Sequence, residues 1–283
     1  MPMTPVLDSA IHHEESGSGT PFVFLHGNPA SSHTWRNVLP GIGAGRLLAP
    51  DLIGMGRSGK PDRTPRFDDH TRYLDAWFDA LDLDGVVLVG HDWGGALAFD
   101  WAARHPDRVR GIAFFESIVK PMDREELSPQ ARRRSETIRS VEGERMLDEN
   151  QFVRQAYTGG VLTPLPDADL TAYLAPYPTR DSRRVLLSWA RQLPLGGEPA
   201  DLVARIEAYD AWLAKSPEVP KLLLTFEGSP TLLIGPETAD WCAAHLAGLD
   251  TVHCGPAGHH ATEDRPAEIA AAVGAWADRH GLR

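Results

Sequence analysis

The sequence predicts an α/β fold: a mostly parallel sheet flanked by helices, with a helical cap inserted late in the chain. Three observations predict it. Short apolar runs alternate with helical patterns, the signature of a parallel sheet covered on both faces. One of these runs, Val86-Val87-Leu88-Val89, passes directly into Gly90-His91-Asp92-Trp93-Gly94-Gly95, which reads as a sharp strand-to-helix turn. Residues 118–217 then break the alternation with a stretch rich in Arg, Glu and Pro that has helical patches and no clear strand.

The strand candidates are Phe22–His26, Arg46–Asp51, Val86–His91, Gly111–Glu116, Lys221–Glu227 and Thr251–Gly255. Between the second and third, His70–Leu83 places Leu74, Trp77, Phe78 and Leu81 at helical spacing, so it reads as an amphipathic helix. Ala96–His105 is the helix after the turn, ended by Pro106, and Ile269, Val273 and Trp276 form one stripe of a C-terminal helix. The expected division is a core of residues 1–117 and 218–283 with a cap of 118–217, because the chain returns to a strand at Lys221. Open α/β sheets bind ligands at the C-terminal edge of their strands, and a cap there would exclude water and shape a pocket. The run Arg132-Arg133-Arg134 with Glu136 reads as a solvated helix face. Gly17–Gly19 reads as a short loop, and the opening strands of the sheet are short, poorly signalled or missing.

Composition bounds the partners. The chain has 283 residues, 42% of them hydrophobic, and a net charge of −11. That charge argues against nucleic acid or an acidic membrane surface as partner. No apolar stretch approaches the ~18 residues of a membrane span. Cys242 and Cys254 are expected to be reduced thiols. With no signal peptide visible, a soluble cytoplasmic protein is expected, as a monomer or small homo-oligomer.

The chemistry is carried by the turn at Gly90–Gly94. It has the form of a nucleophile elbow, normally G-x-S-x-G, with Asp92 at the tip where serine is usual. A carboxylate is suited to displacing a leaving group from a tetrahedral carbon, giving an ester that must then be hydrolysed. His26-Gly27-Asn28-Pro29 follows the first strand, where such folds supply one oxyanion-hole amide, the second coming from the residue after the nucleophile. The Asn28 and Trp93 backbone amides are therefore candidates for that pair. Their side chains are neutral N–H donors suited to an anion forming beside Asp92, although Trp93 could simply pack under the cap. The base is sought in Gly255-Pro256-Ala257-Gly258-His259-His260, where His259 and His260 compete. The group that orients it is either Glu116 or Glu227, each ending an apolar strand. The remaining histidines, His12, His13, His33, His70, His105, His245, His253 and His280, carry no motif.

These residues together resemble the haloalkane dehalogenases of the α/β-hydrolase superfamily. The resemblance covers nearly the whole chain. It runs through His26-Gly27-Asn28-Pro29, Ser31-Ser32, Trp35-Arg36-Asn37, Asp51-Leu52-Ile53-Gly54-Met55-Gly56, Gly90-His91-Asp92-Trp93-Gly94, Leu187-Ser188-Trp189, Gly197-Glu198-Pro199-Ala200 and His259 with Glu263-Asp264. It implies the α/β-hydrolase fold with a cap and a triad of Asp92, His259 and Glu116. It further implies halide binding by Asn28 and Trp93, no cofactor or metal, and a haloalkane, water and a halide ion as the small-molecule partners. Ala190, Tyr177 and Thr158 depart from the pattern, as does the short N-terminus, and they bear on substrate range. Phe152, Tyr177, Trp189, Leu232 and Leu233 are candidate pocket residues that could equally belong to the cap core. The alternative on the same fold is an epoxide hydrolase, for which the cap tyrosines Tyr157, Tyr173, Tyr177 and Tyr209 would protonate the epoxide oxygen; Asn28 argues against it. A fluoroacetate-type dehalogenase would need arginine where Trp93 stands. A luciferase-like oxygenase and a non-catalytic binding protein complete the alternatives.

Overall fold

The computed structural model describes residues 2–283. One eight-stranded sheet runs through it in the order β1-β2-β4-β3-β5-β6-β7-β8. The strands are β1 (Met3–Val6), β2 (Ser9–Ser18), β3 (Pro21–Leu25), β4 (Gly45–Pro50), β5 (Val86–His91), β6 (Val109–Phe115), β7 (Lys221–Glu227) and β8 (Leu249–Pro256). β2 pairs antiparallel with β1 and with β4, and every other pairing is parallel. The helices α1 (Leu39–Ile42), α2 (Phe67–Ala80) and α3 (Trp93–Arg104) connect the strands of the first half. Between β6 and β7 lie six helices in succession: α4 (Pro129–Arg139), α5 (Val141–Asp148), α6 (Phe152–Gly159), α7 (Asp167–Leu174), α8 (Arg180–Arg191) and α9 (Ala200–Leu213). The chain closes with α10 (Pro236–His245), α11 (Ala261–Asp264) and α12 (Pro266–Arg279).

Side-chain alternation explains why the central strands are apolar throughout. Successive residues of a strand face opposite sides of the sheet, and here both sides are covered. Val86 and Leu88 join a core with Trp77, Phe78, Leu97 and Phe99 of α2 and α3. Val87 and Val89 join a separate core with Ile42, Ile269, Val273 and Trp276 of α1 and α12. The six-helix segment extends the first of these cores, contributing Leu147, Phe152, Val185, Trp189 and Ile206. It therefore packs on the α2–α3 side, reaching the strand ends where β3, β5 and β6 stop.

Differences from the sequence reading are local. β6 begins at Val109, two residues earlier than expected, and α3 begins at Trp93 rather than Ala96. α2 begins at Phe67 because Asp69 accepts the Arg66 backbone N–H at 2.9 Å and fixes the first turn. β1 and β2 are both present, and Gly17 and Ser18 belong to β2 rather than to a loop. The buried positions of β2 are Ile11, His12 and His13. Two histidines in place of aliphatic residues hide the strand from any hydrophobic pattern.

Candidate active site

β5 is buried from Val86 to His91 and ends at Asp92, whose φ is +55°. That left-handed conformation is costly for a residue with a Cβ and persists only where the surroundings impose it. The glycines impose it here. A Cβ on Gly94 would lie 2.0 Å from the Leu25 carbonyl oxygen, and one on Gly90 would lie 2.5 Å from the Gly95 Cα. The chain can thus fold back on itself, and α3 starts immediately at Trp93. Asp92 stands at the electropositive end of a helix that follows it without a spacer. Its pKa is lowered: burial raises it, but the His259 imidazole and the Asn28 N–H more than offset that. The carboxylate is ionised at neutral pH.

The loop after β3 comes up against that carboxylate. Gly27 makes the approach possible, since a Cβ there would lie 2.1 Å from Asp92 Oδ1. The next backbone N–H, that of Asn28, donates to Asp92 Oδ1 at 2.8 Å. His26 pins the loop from below. Its ring donates from Nδ1 to the Gly27 carbonyl at 2.8 Å and accepts the Leu52 N–H at Nε2 at 2.9 Å. Burial lowers the His26 pKa, so the ring is neutral and can hold both bonds. Leu52 is fixed in turn by Asp51, whose carboxylate accepts the Ser32 and Arg57 N–H groups at 2.6 and 2.8 Å and lies 3.0 Å from His12 Nδ1. Although burial pushes the other way, these donors hold the Asp51 pKa down at about 2.

His259 lies between two carboxylates. Its Nδ1 is 3.0 Å from Glu116 Oε2 and its Nε2 is 3.4 Å from Asp92 Oδ2. Burial lowers its pKa, but the hydrogen bonds and charges of Asp92 and Glu116 outweigh this and raise it to about 9. Glu116 also has positive φ, at +49°, and is 1% exposed. It accepts the backbone N–H groups of Leu233 and Ile234 at 2.7 and 3.1 Å. A buried carboxylate needs such partners. Glu227, the other candidate, is exposed and lies 3.7 Å from His253, away from His259. His91 is a participant the sequence did not single out. Its Nε2 donates to the His259 backbone carbonyl at 2.8 Å, and its ring stacks on Phe115. Burial lowers the His91 pKa to about 3, which keeps it neutral.

Trp93 and Asn28 complete the constellation. The Trp93 ring lies 4.6 Å from that of Trp189 and 6.2 Å from that of Phe67, so it is packed as well as positioned beside Asp92. Asn28 Nδ2 donates to the Leu186 carbonyl of α8 at 2.9 Å. That bond sets the orientation of the carboxamide and leaves one of its two N–H groups for another acceptor.

Asn28, Asp92, Trp93 and His259 open on one cavity of about 260 Å³, closed on the far side by Leu127, Ile138, Phe152, Ala156, Ala190 and Leu193. Of the candidate pocket residues, Phe152 and Leu233 line it, while Tyr177, Trp189 and Leu232 do not. Ala190 lines it too, but Thr158 and Tyr177 do not. None of Tyr157, Tyr173, Tyr177 and Tyr209 reaches its wall. Tyr209 donates to the Ile118 carbonyl at 2.6 Å and Tyr173 donates to Glu263. His260 stacks on Tyr157 and also borders the cavity. His91, His259 and His260 each offer a ring nitrogen within 4.8 Å of the others. Because His259 is bonded to Glu116 and His91 to the His259 carbonyl, this trio is part of the same site. A larger polar depression of about 740 Å³, bordered by Asp8, Lys60, Arg63 and Arg72, contains none of these residues.

The chain matches the family described as alpha/beta hydrolase fold over residues 20–266. It is 46% identical over 279 residues to a haloalkane dehalogenase of Mesorhizobium japonicum, covering 96% of this chain and 89% of that one. It is 44% identical over 278 residues to a haloalkane dehalogenase of Agrobacterium fabrum, covering 97% and 90%. Among solved structures it superposes on the haloalkane dehalogenase DatA from Agrobacterium tumefaciens with a TM-score of 0.92 at 43% identity, covering 98% of this chain and 96% of that one.

Proposed function

The chain belongs to the haloalkane dehalogenase family of α/β hydrolases, and on that footing we propose that it converts haloalkanes to alcohol, halide and a proton through an ester on Asp92. The observation that carries the reading is the constellation at the end of β5: an ionised Asp92 held at positive φ, one oxygen on the Asn28 amide, and His259 with Glu116 behind it.

In the first half-reaction Asp92 Oδ2 attacks the carbon bearing halogen. The carbon–oxygen bond forms as the carbon–halogen bond breaks, and the halide leaves with the electron pair. The Trp93 indole N–H and the free N–H of the Asn28 carboxamide receive it; both are neutral donors. Holding the haloalkane in line with Oδ2 contributes to rate by proximity and orientation. In the second half-reaction His259 takes a proton from water, and hydroxide adds to the Asp92 ester carbon. The ester carbonyl oxygen is Oδ1, which already accepts the Asn28 N–H at 2.8 Å. The donor that fixes the nucleophile thus also receives the charge of the tetrahedral intermediate. Collapse breaks the bond from the Asp92 carboxyl carbon to Oδ2, which leaves with the alkyl group as the alcohol after taking the proton from His259. The carboxyl group, now carrying one water-derived oxygen, gives up its proton to solvent.

Alkylation also prepares the base. It removes the charge on Asp92, one of the two carboxylates that raise the His259 pKa. The imidazole therefore becomes a freer proton acceptor at the moment it is needed. The six helices between β6 and β7 act as the cap, residues 118–217, over a core of 1–117 and 218–283. Among the described residues no helix is long and apolar enough to cross a membrane. Cys242 and Cys254 are buried free thiols, which suits a reducing cytoplasm.

The test separates the half-reactions. His259→Ala is expected to release one equivalent of halide and to accumulate a protein whose intact mass carries the alkyl group on Asp92. A single turnover in heavy-oxygen water is expected to label the Asp92 carboxylate. Label going directly into the alcohol, with the protein unlabelled, would overturn the mechanism.

A further inference from the structure

The cavity carries a cation that the reaction above does not use. The residues of α4 that line it are Gln130, Ala131, Arg134, Ser135 and Ile138, a spacing that marks one face of the helix. Arg134 sits in the middle of that face. The three-arginine run is therefore split. Arg132 is tied to the Leu127 and Glu125 carbonyls at 2.9 and 3.0 Å, and Arg133 does not border the cavity, whereas Arg134 does.

Arg134 has no hydrogen-bond or ion-pair partner among the described residues. The other arginines of this neighbourhood find theirs close by: Arg139 bonds Ser135 and the Leu193 carbonyl, and Arg191 bonds Glu144 and the Ile138 carbonyl. Desolvation at the cavity lowers the Arg134 pKa, and the charge of Asp92 opposes that shift. Arg134 is thus within electrostatic reach of the nucleophile while remaining exposed to water. A guanidinium keeps its charge under such conditions. Around Arg134 the wall is largely apolar, through Leu127, Ile138, Phe152 and Leu193, with Gln130 and Ser135 as its neutral polar members. A molecule with a halogen at one end, an alkyl middle and an anion at the other meets a matching group at each point.

We propose that Arg134 makes this enzyme select haloalkanes that end in a carboxylate, with the guanidinium taking the carboxylate while the halogen end lies against Asp92. The inference rests on the dehalogenase reading above. Arg is the side chain best matched to a carboxylate, through paired N–H donors in a fixed fork.

The experiment is a halide-release assay on the purified chain, using ω-bromocarboxylates of increasing length, the primary amides of the same acids and the corresponding 1-bromoalkanes. The acid-to-amide ratio of kcat/KM is expected to peak at one chain length. In Arg134→Gln that ratio should fall about tenfold or more at that length, mainly through KM, as loss of a charge-assisted hydrogen bond implies. Arg134→Lys should restore part of it, and raising ionic strength should erode it in the parent protein. An acid-to-amide ratio unchanged by Arg134→Gln at every length would overturn the inference alone, as would an equal loss on acid and amide. No halide release from any of the three series would overturn the dehalogenase reading and this inference with it.

Discussion

The two walls of the cavity are built on opposite rules. On the sheet side the carboxylates and the histidines that serve them are tied to one another, while one Asn28 N–H stays open to the cavity. Asp92 is held by Asn28 and His259, Glu116 by Leu233, Ile234 and His259, and His26 by Gly27 and Leu52. On the α4–α8 side the wall is mostly apolar apart from Gln130 and Ser135, and its one charge, Arg134, is unpaired among the described residues. Preorganised dipoles contribute most to catalysis when they need not move as charge develops. Selection among substrates needs the reverse, a surface whose groups are left for the ligand to satisfy. The comparison teaches that, on the proposed mechanism, reaction type and substrate choice are separable, the first assigned to the strand ends and the second to the inserted helices. Perturbing the sheet side should therefore cost orders of magnitude in rate or a large part of the stability, while changes on the helical side should shift preferences.

The largest expected effect is at Glu116. Glu116→Gln keeps the shape but offers His259 Nδ1 the wrong partner on one side of the amide, and kcat for halide release should fall by about 10⁴, as removal of an orienting carboxylate does in other triads. The loss should fall on ester hydrolysis more than on the first halide released, because Asp92 attacks without a proton acceptor. Rapid-quench measurement of burst and steady state checks this. A variant that lost the burst and the steady state equally would break the assignment of Glu116 to the base.

Next in size is a pair of glycine substitutions. Gly94→Ala inserts a methyl group 2.0 Å from the Leu25 carbonyl oxygen, against a backbone that cannot yield without moving β3. Overpacking of this kind costs about 3 kcal/mol. Gly159, at the end of α6 and on the cavity wall, has nothing within 4 Å of an added Cβ. Gly159→Ala should leave stability within about 0.5 kcal/mol of the parent chain. Denaturant midpoints for the two variants sharpen the comparison directly. Equal destabilisation would mean that the helical wall is as tightly specified as the sheet edge.

The same division explains what could be read before the structure. The strand Val86–His91 and its turn were legible because two glycines and an aspartate at fixed spacing have few other uses. The pair Glu116 and Glu227 was not separable by residue physics, since both end apolar strands; what distinguishes them is the backbone of Leu233 and Ile234, whose N–H groups leave no trace in side-chain pattern. Only the family resemblance favoured Glu116. β2 was missed because His12 and His13 take its buried positions. Arg134 was read as part of a solvated run and is exposed; that it also borders the cavity was not legible, because charge composition carries no helix phase until the start of α4 is known. Size and apolarity allow Tyr177, Trp189 and Leu232 either the pocket or the cap core, and Tyr177 and Trp189 belong to a core. Burial alone does not say which cavity a side chain faces: Trp189 lies behind Trp93, and Leu232 packs against the core on the other face of the sheet.

The smallest expected effect is in the pH dependence of stability, and it bears on His259 alone. In the folded chain its pKa is raised from 6.5 to about 9: burial opposes the rise, and the hydrogen bonds and charges of Asp92 and Glu116 outweigh it. A folded-state pKa above the unfolded one means that the folded chain binds the proton more tightly. The resulting stabilisation is fully present below pH 6.5 and is lost as pH rises through about 9. Thermal melts of the parent chain and of His259→Gln across that interval should therefore diverge at low pH and converge at high pH. The expected difference is about 1–2 kcal/mol, since part of the imidazole is open to the cavity and water screens it. Asp92→Asn, which removes one carboxylate and keeps the shape, should lower the imidazole pKa seen by NMR. Arg134→Gln, on the opposite wall, should leave that pKa nearly where it was. A shift in Arg134→Gln as large as in Asp92→Asn would mean that the helical wall sets the charge state of the base, and the separation of chemistry from selection would fail at its most sensitive point.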